Sequence, residues 1–157
     1  MDHHAHMPQA PLIPRPALML GWLGVAPFLT LTLAAVMGSP ETASTAGTAL
    51  VAYATIILSF MGGAQWGLAV VAAADASAVL ARRLAVSVLP ALAALASLAL
   101  PARAALLGLA AAFVALLTYD IASARKGVAP GWYPALRVQL TIAVVLCLLV
   151  AAGLGRV

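Results

Sequence analysis

Charge is what this chain has least of. Of its 157 residues only 8% are Asp, Glu, Lys or Arg, against 65% hydrophobic. A soluble domain carries about a quarter charged residues, so a water-facing surface cannot be assembled from this inventory. Acidic residues are scarcest, four in all, and every acidic or basic side chain falls at or beyond the end of an expected helix. Ionisable groups inside a span normally mark ion paths or proton relays. Their shortage, with no His in any span, counts against a proton pump, a haem protein or a metalloenzyme. Cysteine occurs once, at Cys147 in the last apolar run, which excludes an intrachain disulfide and a paired thiol metal site. A lone thiol there reads as a small hydrophobe. No glycine-rich phosphate loop, thiol pair or Ser-His-Asp set is visible. The expectation is therefore no enzyme, with no catalytic residues, no metal and no cofactor. Net charge is +4, but the basic residues stand at the ends of apolar runs rather than in one patch. They report topology and not nucleic-acid binding.

What the chain has in abundance is apolar length. A run of about 20 residues crosses the hydrocarbon core of a bilayer, and five such runs cover about 17–37, 44–74, 84–100, 104–121 and 135–154. The expected fold is all-α: a polytopic membrane protein with a five-helix transmembrane bundle, forming one domain over 17–157 behind a disordered N-terminal tail, 1–16. Pro8, Pro11, Pro14 and Pro16 keep that tail from a regular helix. His3, His4 and His6 within it read as a mobile tract rather than a metal site. Val36 and Gly38 are small enough for a signal-peptide cleavage site, yet the first run is long and carries Pro27 inside, so it reads as a retained helix. Pro27 is expected to bend it, with Thr30 or a neighbouring helix satisfying the freed carbonyl.

The second run is longer than the hydrocarbon thickness requires, so it tilts or projects, and Asp75, Arg82 and Arg83 mark the loop after it. Pro101-Ala102-Arg103 makes a tight turn between the third and fourth runs. Residues 122–133 form the richest loop, with Arg125, Lys126, Gly127, Trp132 and Tyr133, and Pro134 suits the first position of the last helix. One side of the membrane then holds Arg15, Arg82, Arg83, Arg125, Lys126 and, at its edge, Arg137; the other holds Arg103 and Arg156. The positive-inside rule places the N-terminus on the cytoplasmic side and the C-terminus on the far side, which is the periplasm if the membrane is the bacterial inner membrane expected for this chain.

The most unusual residue choices lie together in Ser59-Phe60-Met61-Gly62-Gly63-Ala64-Gln65-Trp66-Gly67. On a helix Thr55, Ser59, Gly63 and Gly67 fall four apart as a stripe of small side chains, with Gly62 beside it. Such a stripe lets two helix backbones approach closely in lipid. Gln65 points roughly to the opposite side, by the ~100° turn per residue, and an amide in hydrocarbon needs a partner. The glycines and Gln65 read as bundle packing; the alternative is that Gln65, with Trp66, Trp132 and Tyr133, lines a ligand cavity. Asp120 and Arg137 flank the aromatic loop, where adjacent antiparallel helices would bring them together as a structural ion pair.

Three segments in combination resemble the DUF3429 family of transmembrane protein 69-like membrane proteins. They are Gly21-Trp22-Leu23-Gly24-Val25-Ala26-Pro27-Phe28, then Tyr53 through Gly67, then Tyr119-Asp120 with Ala129-Pro130-Gly131-Trp132-Tyr133-Pro134-Ala135-Leu136-Arg137 and Leu140-Thr141. The resemblance covers most of the chain after residue 16 and implies a small multi-span protein of bacterial or mitochondrial-type membranes, with no activity to carry over. The family often has His before the Trp, where this chain has Gln65. Chemistry that needs that His is therefore not expected here, whereas a hydrogen-bonding role survives.

Two functions fit. The first is a non-enzymatic interaction, assembly or scaffold component, with the bilayer and another membrane protein or a second copy as partners. The second is a binder or carrier of a small apolar molecule or lipid, with a pocket near Gln65 and Trp66. The second is TspO-like in length and span count only.

Overall fold

The computed structural model describes residues 12–72 and 78–157. Five helices run α1 (Arg15–Met37), α2 (Pro40–Val71), α3 (Ala78–Ser97), α4 (Ala102–Arg125) and α5 (Tyr133–Leu154). No strand occurs among the described residues. All five are long and apolar enough to cross a membrane, so the chain is an all-α polytopic bundle with an outer surface suited to lipid. His3, His4, His6 and Asp75 lie outside the described residues.

The connections explain the arrangement. Only Gly38 and Ser39 separate α1 from α2, and only 98–101 separate α3 from α4; links this short force antiparallel neighbours. Ser39 Oγ accepts the Thr42 amide at 3.3 Å, Pro40 follows as the first helical residue, and Glu41 lies in the first turn. Each of these stabilises a helix start. At the far end of α4, Gly127 takes φ 73°, its amide donates to Ala124 O and the Val128 amide donates to Ser123 O. This pair of bonds around a left-handed glycine is a Schellman stop. It turns the chain so that α5 returns alongside α4.

Consecutive helices pack on one another, α1 closes the ring against α5, and α2 reaches across to α4. That crossing contact divides the interior into an α2–α3–α4 compartment and an α1–α2–α4–α5 compartment. Phe28 anchors the second, fully buried, with ring centroids 4.9 Å from Tyr53 and 6.3 Å from Phe113, both edge-on. Helix α3 is the most peripheral, with only Ser87, Ala94 and Ser97 buried. The chain end folds back over the α1–α2 turn: the Arg156 amide donates to Ala35 O, and Val157 lies against Gly47.

Several boundaries differ from those expected. Helix α1 takes in Arg15 and Pro16, because proline in a first turn forfeits no intrahelical bond. Helix α2 begins at Pro40 rather than 44, set by the Ser39 cap. Arg82 and Arg83 lie within α3, not in a loop, and α4 continues to Arg125. Ala, Leu, Ser and Arg all tolerate a helix, so it stops where the backbone demands it rather than where hydropathy falls. Tyr133, not Pro134, is the first residue of α5. Thr30 Oγ1 donates to Pro27 O instead of reaching back to the carbonyl that the proline frees, while Tyr53 on α2 donates to Gly24 O at 2.9 Å.

Candidate functional site

The extension of α4 changes the setting of its acidic residue. Asp120 does not stand at a helix end; it lies more than a turn inside α4 and is 1% exposed. Arg137 lies one turn inside α5 and is 6% exposed, and Gln65 on α2 is 3% exposed. Arg137 Nε donates to Asp120 Oδ2 at 2.6 Å, and Gln65 Nε2 donates to Asp120 Oδ1. Both carboxylate oxygens are thus engaged, one from each flanking helix. Tyr133 belongs to the same cluster, with Asp120, Arg137 and Gln65 as its electrostatic neighbours. Burying two opposite charges is expensive unless the pair is close and further hydrogen bonds complete it; the Gln65 amide does so for the carboxylate.

The guanidinium is less completely served. Its Nη1 meets Met61 Sδ, a weak acceptor. Its Nη2 and the Thr141 hydroxyl are both buried with no hydrogen-bond partner among the described residues. Helix geometry puts these groups together: Met61 and Gln65 are four apart on α2, Arg137 and Thr141 four apart on α5, so each pair shares a face.

Arg137, Thr141 and Met61 border a cavity of about 240 Å³ in the α1–α2–α4–α5 compartment. Its remaining wall is apolar, with Phe28, Phe60, Phe113 and Val144. Leu20 on α1 and Phe60 on α2 border it while being largely exposed, so it opens sideways between those helices. A second cavity of about 220 Å³, in the α2–α3–α4 compartment, has Gln65, Pro90 and Tyr119 on its wall. A third, of about 380 Å³, lies at the basic end between Arg82, Arg83, Tyr119 and Lys126.

The small-residue stripe divides between two faces. Gly62, off the stripe, makes the closest approach to the backbone of another helix: a Cβ there would lie 2.7 Å from Ser87 O and 3.3 Å from the Pro90 ring. Thr55 shares a 3.4 Å hydrogen bond with Ser97 of α3, and Ser59 is half-buried and donates to Thr55 O. Gly63 and Gly67 face outward, with no atom within 4 Å of an added Cβ. They lie in an exposed row with Ile56, Phe60 and Val70. Trp66 is 46% exposed and borders neither interior cavity. Gln65 and Trp66 therefore do not line one pocket: neighbours in sequence diverge on a helix. Trp132 precedes α5, half-buried, its ring 6.2 Å from that of Tyr133.

Met61 and Thr141 went unrecognised in the sequence. The signal that finds them is the four-residue spacing from Gln65 and Arg137. Among the described residues no group of three or more His, Cys, Asp or Glu could hold a metal ion.

The family model described as a protein of unknown function, DUF3429, matches residues 13–153. The chain belongs to the DUF3429 family. No curated protein and no solved structure matches it. The match extends from just before α1 to the last residues of α5, so it takes in all five helices of this DUF3429 chain.

Proposed function

We propose that this DUF3429 chain is a non-enzymatic assembly component of a bacterial inner membrane, docking another transmembrane helix on the outer face of α2. The observation that carries the reading is the outward Gly63-x-x-x-Gly67 pair, open in the isolated chain and bracketed by Ile56, Phe60, Trp66 and Val70. Two small residues four apart let a second backbone approach, and flanking large side chains supply dispersion contact around it. The non-catalytic part of the reading rests on Asp120, whose two oxygens are both committed to fixed donors.

Orientation follows from charge. Arg15, Arg82, Arg83, Arg125 and Lys126 cluster at the end where α1 and α5 begin, and Arg103 and Arg156 at the other. The positive-inside rule makes the first end cytoplasmic. Reporter fusions at each terminus test this; a periplasmic N-terminus overturns it.

The docking test uses a Gly63→Cys chain in native membranes. Disulfide capture of a second copy or another membrane subunit is expected, and Gly67→Leu should abolish it without unfolding the bundle, since position 67 is open. A chain that is monomeric by mass in bilayers and captured by nothing overturns the reading.

A further inference from the structure

The cavity between α1, α2, α4 and α5 contains a chemical asymmetry that the packing of the bundle does not account for. Nearly all of its wall is hydrocarbon, and at one place Arg137 and Thr141 reach it from consecutive turns of α5. Arg137 Nη2 and Thr141 Oγ1 are buried and unpartnered among the described residues. A guanidinium nitrogen can only donate, and a hydroxyl can donate beside it. Leaving such groups dry and unbonded is costly. Two donors on one helix face call for an acceptor oxygen.

Charge decides what kind of oxygen. Asp120 already faces Arg137 at 2.6 Å and neutralises it. Among the described residues no second cation borders the cavity. An incoming carboxylate or phosphate would leave a net negative charge buried in hydrocarbon, which a site of this kind does not tolerate. A neutral carbonyl accepts the same bonds without that penalty. The walls agree: Phe28, Phe60 and Phe113 offer ring faces and edges, and the mouth between Leu20 and Phe60 opens on the apolar outer surface. About 240 Å³ admits a ring or a short stretch of chain, leaving any longer tail outside in lipid.

We infer that this cavity binds a neutral, lipid-soluble molecule by its carbonyl oxygen, held between Arg137 Nη2 and the Thr141 hydroxyl, with its apolar body against the three phenylalanines. Two sources carry that chemistry: the ring carbonyl of a quinone and the ester carbonyl of a glycerolipid. The site shares Phe60 with the outer face of α2 at its mouth, but its two donors lie on α5, so neither reading depends on the other.

The test uses the full chain in nanodiscs, with decyl-benzoquinone, dioctanoylglycerol and oleate as probes and native mass spectrometry as readout. Saturable one-to-one binding of at least one neutral probe is expected, with oleate weaker, and the probe that binds identifies the source. Arg137 is left intact because removing it would strand Asp120. Thr141→Val, which keeps the shape and removes the hydroxyl, is expected to weaken binding about three- to tenfold, the value of one hydrogen bond. Gly24 borders the cavity and an added Cβ meets nothing within 4 Å, so Gly24→Leu has room to start into the space and is expected to abolish binding. The inference is overturned if neither neutral probe saturates, if oleate binds more tightly than both, or if Thr141→Val and Gly24→Leu bind as the unmodified chain does.

Discussion

Asp120 and Arg137 lie 17 positions apart in the chain and meet at 2.6 Å inside the bundle, each nearly sealed from the surroundings. Neither residue is at a helix end. The pair ties α4 to α5, and Gln65 extends the tie to α2, so three helices converge on one carboxylate.

Removing the carboxylate strands a buried cation. Asp120→Ala is expected to destabilise the chain by about 3–5 kcal/mol, read by denaturant titration in mixed micelles. The double replacement Asp120→Leu with Arg137→Met removes both charges and is expected to be milder than Asp120→Ala alone. A shift near zero for Asp120→Ala would show the pair to be dispensable.

Gln65 supplies the second donor to Asp120. Gln65→Leu is expected to cost about 1–2 kcal/mol, the range for interhelical hydrogen bonds in model membrane peptides. Gln65→His retains a donor and is expected to lose less. Equal losses in the two variants would mean that packing, not the amide, matters at this position.

The adjacent glycines should respond oppositely. Gly62→Ala puts a methyl 2.7 Å from the Ser87 carbonyl and is expected to cost about 1–3 kcal/mol as α3 is pushed from α2. Gly63→Ala meets nothing and is expected to stabilise the isolated chain by about 0.5–1 kcal/mol through helix propensity. Thermal unfolding of the two purified variants distinguishes them; the same sign for both would refute the assignment of faces.

Tyr53→Phe keeps the ring against Phe28 and removes the bond to Gly24 O. A loss of about 0.5–1 kcal/mol is expected, with amide exchange accelerated in α1 near Pro27 rather than in α3. Uniform acceleration over the bundle would count against a local role for this bond.

Much of this architecture is legible without coordinates. Runs such as 135–154 are too apolar and too long for anything but a spanning helix, and five of them leave one fold class. Proximity of Asp120 to Arg137 follows from a short link between antiparallel helices, because chain connectivity alone brings those ends together. Helix ends were less legible: hydropathy falls where a helix leaves hydrocarbon, whereas α4 continues until Gly127 adopts a left-handed conformation.

By itself, then, the sequence determined the number of helices, their apolar character and which of them follow one another, since these depend on composition and on chain length between turns. Only the tertiary structure decided which faces meet. The crossing of α2 onto α4 assigned Gln65 to Asp120, turned Gly63 and Trp66 outward, and left a cavity bordered by two residues that each carry a buried polar atom without a partner among the described residues. Ala- and Leu-rich helices such as α3 and α4 are apolar all round, so rotation about their axes changes little that a residue pattern records. The close fit of particular side chains, Gly62 under Ser87 and Phe28 between Tyr53 and Phe113, selects one rotation among many.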